Sequence, residues 1–201
     1  MKAAYLRGPR RLEIEDVELP HADDQVLVRV LACGICGSDL HGWAHPELAI
    51  GIKGDPAPGF TGHEIAVAVP GPAGAETLAA IEPNRLTACG TCEACQGRSA
   101  WFCRNRSGHE AFGYAEAMMV PEWALFPMPD GTDPVLATLV EPLACAVHTV
   151  RSSHSADGDG RIDGLSVAVL GAGVTGLMTV AAALHLGAAA VTVTARHPHQ
   201  G

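Results

Sequence analysis

The chain has 201 residues, 48% of them hydrophobic and 17% charged, with a formal net charge of -9. That is a globular balance, long enough for one large domain or two small ones, and it excludes disorder of the whole chain. The negative charge and the lack of a basic run argue against nucleic acid or an anionic membrane as partner, and no apolar run reaches the ~18 residues of a transmembrane helix.

Residues 1–7 lead into alternating apolar and charged positions, which is not the pattern of a secretory leader. The expected location is the cytoplasm, where thiols stay reduced. The seven cysteines are therefore read as metal ligands and spares, not as disulfides. Residues 2–19 predict two short strands around the turn Gly8-Pro9, and Asp23-Asp24 a second turn. Residues 26–32, rich in β-branched side chains, predict a strand that delivers the chain to Cys33. Residues 36–42 predict a loop or the first turn of a short helix, with Ser38 and Asp39 both able to cap it. Residues 47–58 read as loop, 65–69 as a strand and 70–75 as a Pro/Gly turn. Residues 117–120 and 124–126 read as short strands separated by Pro121. Residues 133–150 have helical spacing, with an interruption expected at Pro142. The polar stretch 152–164 reads as a linker. Beyond it, an apolar strand (165–170), an Ala-rich helix (174–186) and a second strand (190–194) make a β-α-β unit. Many short strands followed by β-α-β suggest a mainly antiparallel N-terminal domain joined to the start of a parallel, nucleotide-binding one.

Three motifs carry chemistry. Cys89-x2-Cys92-x2-Cys95-x7-Cys103 places four thiols in a lobe spanning about residues 86–106. Four thiolates fill every position around a tetrahedral ion, so such a site is structural. The bland reading is four reduced or redox-active thiols. The second motif joins Cys36-Gly37-Ser38-Asp39-Leu40-His41 to Gly62-His63-Glu64. Cys, His and Glu are the ligands of an open zinc site, and a hydroxyl and an imidazole beside it are what proton transfer from an alcohol needs. Glu141, in Glu141-Pro142-Leu143, is a candidate further ligand. Two competitors remain at this level. Cys33-Gly34-Ile35-Cys36 is formally a redox C-x-x-C, and Gly108-His109-Glu110 repeats the Gly-His-Glu triplet. The third motif is Gly171-Ala172-Gly173-Val174-Thr175-Gly176, set between an apolar strand and a helix, where glycines let the backbone approach a pyrophosphate. The acidic residue expected about 20 positions later is missing. Ala195-Arg196-His197 stands there instead and would accommodate a 2′-phosphate, which leans towards NADP over NAD.

In this order the motifs resemble the zinc-dependent medium-chain alcohol dehydrogenases, and Glu141-Pro142-Leu143 looks closest to their sorbitol and threonine dehydrogenase branch. The resemblance runs from residue 1 to about residue 195. It implies a GroES-like domain over residues 1–151, the linker 152–164, and over 165–201 the first β-α-β unit of a Rossmann domain, so that the chain corresponds to the N-terminal portion of such an enzyme. It implies that Cys36, His63 and Glu64 hold a catalytic zinc, with Glu141 near it, and that Cys33, His109 and Glu110 have no assigned role. It also implies that Ser38 and His41 relay the proton, that Cys89, Cys92, Cys95 and Cys103 hold a second zinc, and that Gly171, Gly173, Val174, Gly176 and Arg196 meet NADP or NAD. The implied reaction is oxidation of a small alcohol or polyol by NAD(P), in a homo-oligomer where the full Rossmann domain is present. There is one local departure. Residues 65–83 are shorter than the family's strand-turn-strand, and 76–81 stand where a Gly-Asp-Arg-Val-like element is usual. The alternative reading, motivated by that departure and by the presence of only one β-α-β unit of the Rossmann domain, is a truncated, non-catalytic module stabilised by zinc.

Overall fold

The computed structural model describes residues 1–19, 23–45, 62–97, 99–106, 113–154 and 160–200. The expected loop 47–58 and the second triplet, with His109 and Glu110, lie outside the described residues. The chain divides into two compact units, Met1–Leu139 and Val140–Gly201.

The first unit is built on antiparallel strands, as the short alternating segments predict. Strands β1 (Lys2–Gly8) and β2 (Arg11–Asp16) form a hairpin. Its turn follows Gly8-Pro9, with Arg10 in the left-handed region at φ 59°. Five further strands make one sheet in the order β6-β3-β4-β5-β7. They are β3 (Val26–Gly34), β4 (Glu64–Pro70), β5 (Glu76–Ile81), β6 (Ala117–Val120) and β7 (Leu125–Pro127). The shortened region keeps the sheet continuous: residues 76–81 are β5 itself, paired to β4 from Ala66↔Ala80 to Pro70↔Glu76 and to β7 on its other edge. Val28, Ile65, Val67, Ile81, Met118 and Val120 form the buried core beneath the sheet.

Helix α1 (Gly37–Ala44) follows β3 directly. Short helices α2 (Pro83–Thr87) and α3 (Glu93–Gln96) frame the cysteine lobe, and α4 (Pro134–Ala137) ends the unit. The second unit consists of α5 (Val140–His154), β8 (Ser166–Leu170), α6 (Val174–His185) and β9 (Ala190–Thr194), with β8 and β9 parallel.

The helical stretch 133–150 breaks earlier than Pro142 suggested. Asp133 caps α4 by accepting a hydrogen bond from the Val135 N–H (2.8 Å), and the break falls at Thr138-Leu139. Pro142 lies in the first turn of α5, where a backbone N–H has no intrahelical acceptor, so its missing donor costs nothing. From there α5 packs Ala146 and Val150 against Ala182, Ala183 and Leu186 of the α6 segment. That apolar contact places α5 in the second unit, so the chain divides by compactness earlier than the polar linker 152–164.

Candidate metal and cofactor sites

The register of β3 against β4 assembles the first site. Cys33 pairs with Ile65 and Gly34 with Glu64, so the end of β3 meets the start of β4. Cys36 and the pair His63-Glu64, far apart in sequence, are thereby brought together. One ligand atom from each of Cys36, His63 and Glu64 lies within 4.8 Å of the others. Glu64 is buried at 7% exposure, and Gly34 makes room for it. A Cβ on Gly34 would collide with Glu64 Oε2.

Asp39, expected only as a possible cap, stands at the centre of the site. It is 3% exposed. Its Oδ2 accepts hydrogen bonds from the Cys36 N–H (2.9 Å) and the Tyr114 hydroxyl (2.9 Å), while Oδ1 faces His63 Nδ1 at 3.5 Å. A carboxylate on Nδ1 fixes the imidazole tautomer and leaves Nε2 as the electron-pair donor, as metal-binding histidines usually require. The Tyr114 phenol is pushed above its ordinary pKa, by burial first and then by the Asp39 charge, so it remains a proton donor. Ser38 and His41 are exposed on α1 and lie outside the three-residue cluster. Glu141 belongs to the second unit, with the Cys145 thiol 3.8 Å from its Oε1.

Cys33 lies in a packed, protonated environment. Its sulfur packs against Gly62 and Gly113, where added Cβ atoms would clash with it. Burial, reinforced by the charges of Asp39 and Glu64, pushes its thiol up to about 12 from 9.0, the opposite of a redox-active cysteine. Below pH 9 the thiol is neutral in both folded and unfolded chains, and its full contribution to stability is present. Between pH 9 and 12 the unfolded chain releases the proton first, so stability is lost as pH rises. Denaturant unfolding at pH 8 and pH 10.5 is therefore expected to show a shallower alkaline loss for Cys33→Ala than for wild type.

The four-cysteine lobe forms the second site. Sγ–Sγ separations are 3.5 Å (Cys92–Cys95), 3.6 Å (Cys89–Cys103), 3.8 Å (Cys92–Cys103) and 4.0 Å (Cys89–Cys95). Sulfurs at the usual ~2.3 Å around zinc form a tetrahedron with edges of about 3.8 Å, whereas a disulfide holds them at about 2 Å. The donor set and its spacing therefore fit a zinc ion. Thr91 favours the thiolate at Cys89, its backbone N–H first and then its hydroxyl, and so lowers that pKa; burial raises that of Cys95.

In the second unit the glycine turn joins β8 to α6 as the motif requires. Gly171 has φ +111°, and a Cβ on Gly176 would strike the Gly171 carbonyl oxygen, so both positions need glycine. The Gly171 N–H donates to Thr194 Oγ1 (3.0 Å), tying the turn to the end of β9. Gly173 caps α6 with extended backbone and is followed by Val174. Arg196 lies just past β9, exposed, with its N–H donating to Gln200 Oε1 (3.0 Å). The close turn and the helix N-terminus fit a pyrophosphate.

The profile of the alcohol dehydrogenase GroES-like domain matches residues 22–130. The chain belongs to that family. Among its relatives, L-threonine 3-dehydrogenase of Chromobacterium violaceum is 33% identical over 204 residues, covering 96% of this chain and 57% of the relative. Sorbitol dehydrogenase of Bacillus subtilis is 32% identical, covering 98% and 56%. A zinc-binding dehydrogenase of Sinorhizobium meliloti bound to NADP superimposes with a TM-score of 0.77 at 32% identity, over 99% of this chain and 57% of its own. The chain thus spans little more than half the length of these relatives.

Proposed function

We propose that this chain supplies the zinc-binding part of a nicotinamide-linked dehydrogenase that oxidises a small alcohol or polyol. The observation that carries the reading is the convergence of Cys36, His63 and Glu64 within 4.8 Å, beside a separate four-thiolate cluster. Three protein ligands leave one position open, as catalytic zinc requires, while four thiolates close a site. The family relationship, with threonine and sorbitol dehydrogenases among the relatives, supports a secondary alcohol as substrate.

In this proposal Cys36, His63 and Glu64 hold the catalytic zinc, and Glu141 is a further candidate ligand. A zinc ion there would supply Lewis acidity that makes an alcohol proton easier to remove. Asp39 keeps His63 in the tautomer that can bind. Ser38 and His41 carry the released proton along the exposed face of α1 towards solvent. Gly171, Gly173, Val174 and Gly176 bring the backbone to the cofactor pyrophosphate. Arg196, just past β9, would meet a 2′-phosphate, which favours NADP over NAD. Cys89, Cys92, Cys95 and Cys103 hold a structural zinc. The protein works in the cytoplasm, and with a full Rossmann domain it forms a homo-oligomer. The cytoplasmic placement is supported by the seven cysteines, none of which is in a disulfide.

Elemental analysis of chain purified without chelator tests this, together with NADPH fluorescence titration and a screen of secondary alcohols with NADP and NAD. About two zinc equivalents are expected, of which one is lost in Cys36→Ser. A single equivalent that survives Cys36→Ser, with no response to cofactor, would leave the non-catalytic zinc module as the function.

A further inference from the structure

We propose that Tyr114 is a positioning residue of the Cys36/His63/Glu64 site, acting on His63 through Asp39. The inference rests on the metal-site reading above and adds a residue that no motif contains.

The geometry carries it. The Asp39 carboxylate is buried, and its two oxygens are used differently: Oδ2 receives the Tyr114 hydroxyl and the Cys36 N–H, and Oδ1 faces His63. A carboxylate on α1 held by one donor could still rotate about its terminal torsion. Held by two donors on the same oxygen, it keeps Oδ1 aimed at the imidazole. The Cys36 N–H comes from the same helix start, so it cannot fix the position of α1 against the rest of the fold. Tyr114 can. Its ring packs beside Gly62, immediately before His63, where an added Cβ would come within 3.1 Å of it. Its carbonyl accepts from the Ala4 N–H (2.9 Å), and the next residue bridges Ala3. The hydroxyl also lies 3.1 Å from the Gly34 carbonyl, opposite Glu64. With one proton to donate, a phenol between a neutral carbonyl and a carboxylate favours the charged acceptor. Tyr114 therefore links β1, the end of β3 and α1 at the point where the three ligands meet.

The test is metal affinity, read independently of turnover. The full chain is loaded with cobalt(II), and the site with a single thiolate is followed by its visible absorption during chelator competition. The four-thiolate site, with its stronger charge-transfer band, serves as the internal control. Tyr114→Phe keeps the ring and removes only the hydroxyl. It is expected to weaken the single-thiolate site about tenfold or more and to alter its spectrum, with the four-thiolate site unchanged, since loss of an outer-shell partner costs roughly 10–100-fold. In an Asp39→Asn background the same substitution should add little, because Tyr114 acts through Asp39. Unchanged affinity and spectrum in Tyr114→Phe overturn the inference. So does a loss as large in the Asp39→Asn background as in wild type, which would mean that the phenol supports packing alone. A wild-type chain that takes up only the four-thiolate metal overturns the metal-site reading, and this inference with it.

Discussion

Cys92→Ser is expected to release one metal ion per chain and to unfold the cysteine lobe while the five-stranded sheet stays folded. The lobe has almost no core of its own. Between the first and last cysteine, residues 89–103, only Cys95, Ala100 and Cys103 are buried among the described residues, and the two large apolar side chains there, Trp101 and Phe102, are 69% and 71% exposed. A segment this small cannot be held by apolar burial and needs a staple. The staple is the set of four sulfurs at tetrahedral spacing, and binding free energy at such a site is folding free energy. Three thiolates and a serine hydroxyl bind zinc far less tightly. Elemental analysis should fall from about two equivalents to about one. Hydrogen exchange should rise across residues 89–103, including the Gly97 N–H now bonded to the Glu93 carbonyl (2.8 Å). The core strands, with Val28, Val67 and Val120 at no more than 1% exposure, should keep their protection. Chelator added to wild type should reproduce the pattern. Wild-type protection of the lobe in Cys92→Ser would mean that the lobe folds without metal.

What could be read from the sequence follows from how local each feature is. The four cysteines are close in sequence, so their spacing alone implies their geometry. The glycine turn between β8 and α6 is equally local: Gly171 and Gly176 are separated by one turn of chain and meet across it. Cys36 and His63-Glu64 come together through a strand register, which spacing does not specify. Only the family resemblance singled out that pair over Cys33 and the second Gly-His-Glu triplet. Asp39 was half legible, since a carboxylate after Cys36 reads as a helix cap; it does cap α1 through the Cys36 N–H, and the same oxygen serves the site. Tyr114 was invisible, because its partner Asp39 lies 75 positions away with no periodic pattern between them. The misplaced break in 133–150 has a different origin. Pro142 signals a helix end only where its N–H would have been used, and at the start of α5 it is not.

The same register argument makes Gly34→Ala the sharpest probe of the candidate catalytic site. Gly34 is directly opposite Glu64, and its missing side chain is the space the Glu64 carboxylate occupies. A methyl group there must expel the carboxylate or shift the β3–β4 pairing. Either outcome separates Glu64 from Cys36 and His63, while overpacking a buried site costs about 1–3 kcal/mol of stability. The expected result is loss of the single-thiolate metal equivalent, retention of the four-thiolate one, and a lower unfolding midpoint. The double variant Gly34→Ala/Glu64→Ala separates the two causes. Removing the carboxylate relieves the closest contact, with Glu64 Oε2, but leaves the residue-64 Cβ 2.9 Å from the new methyl, so stability should return in part. The metal should not, because the ligand is gone. If the single variant keeps both metal equivalents, Glu64 is not a ligand, and the site is reduced to Cys36 and His63. If the double variant stays as unstable as the single one, the close approach to the residue-64 Cβ sets the cost and not the carboxylate, and Gly34 serves the strand pairing alone.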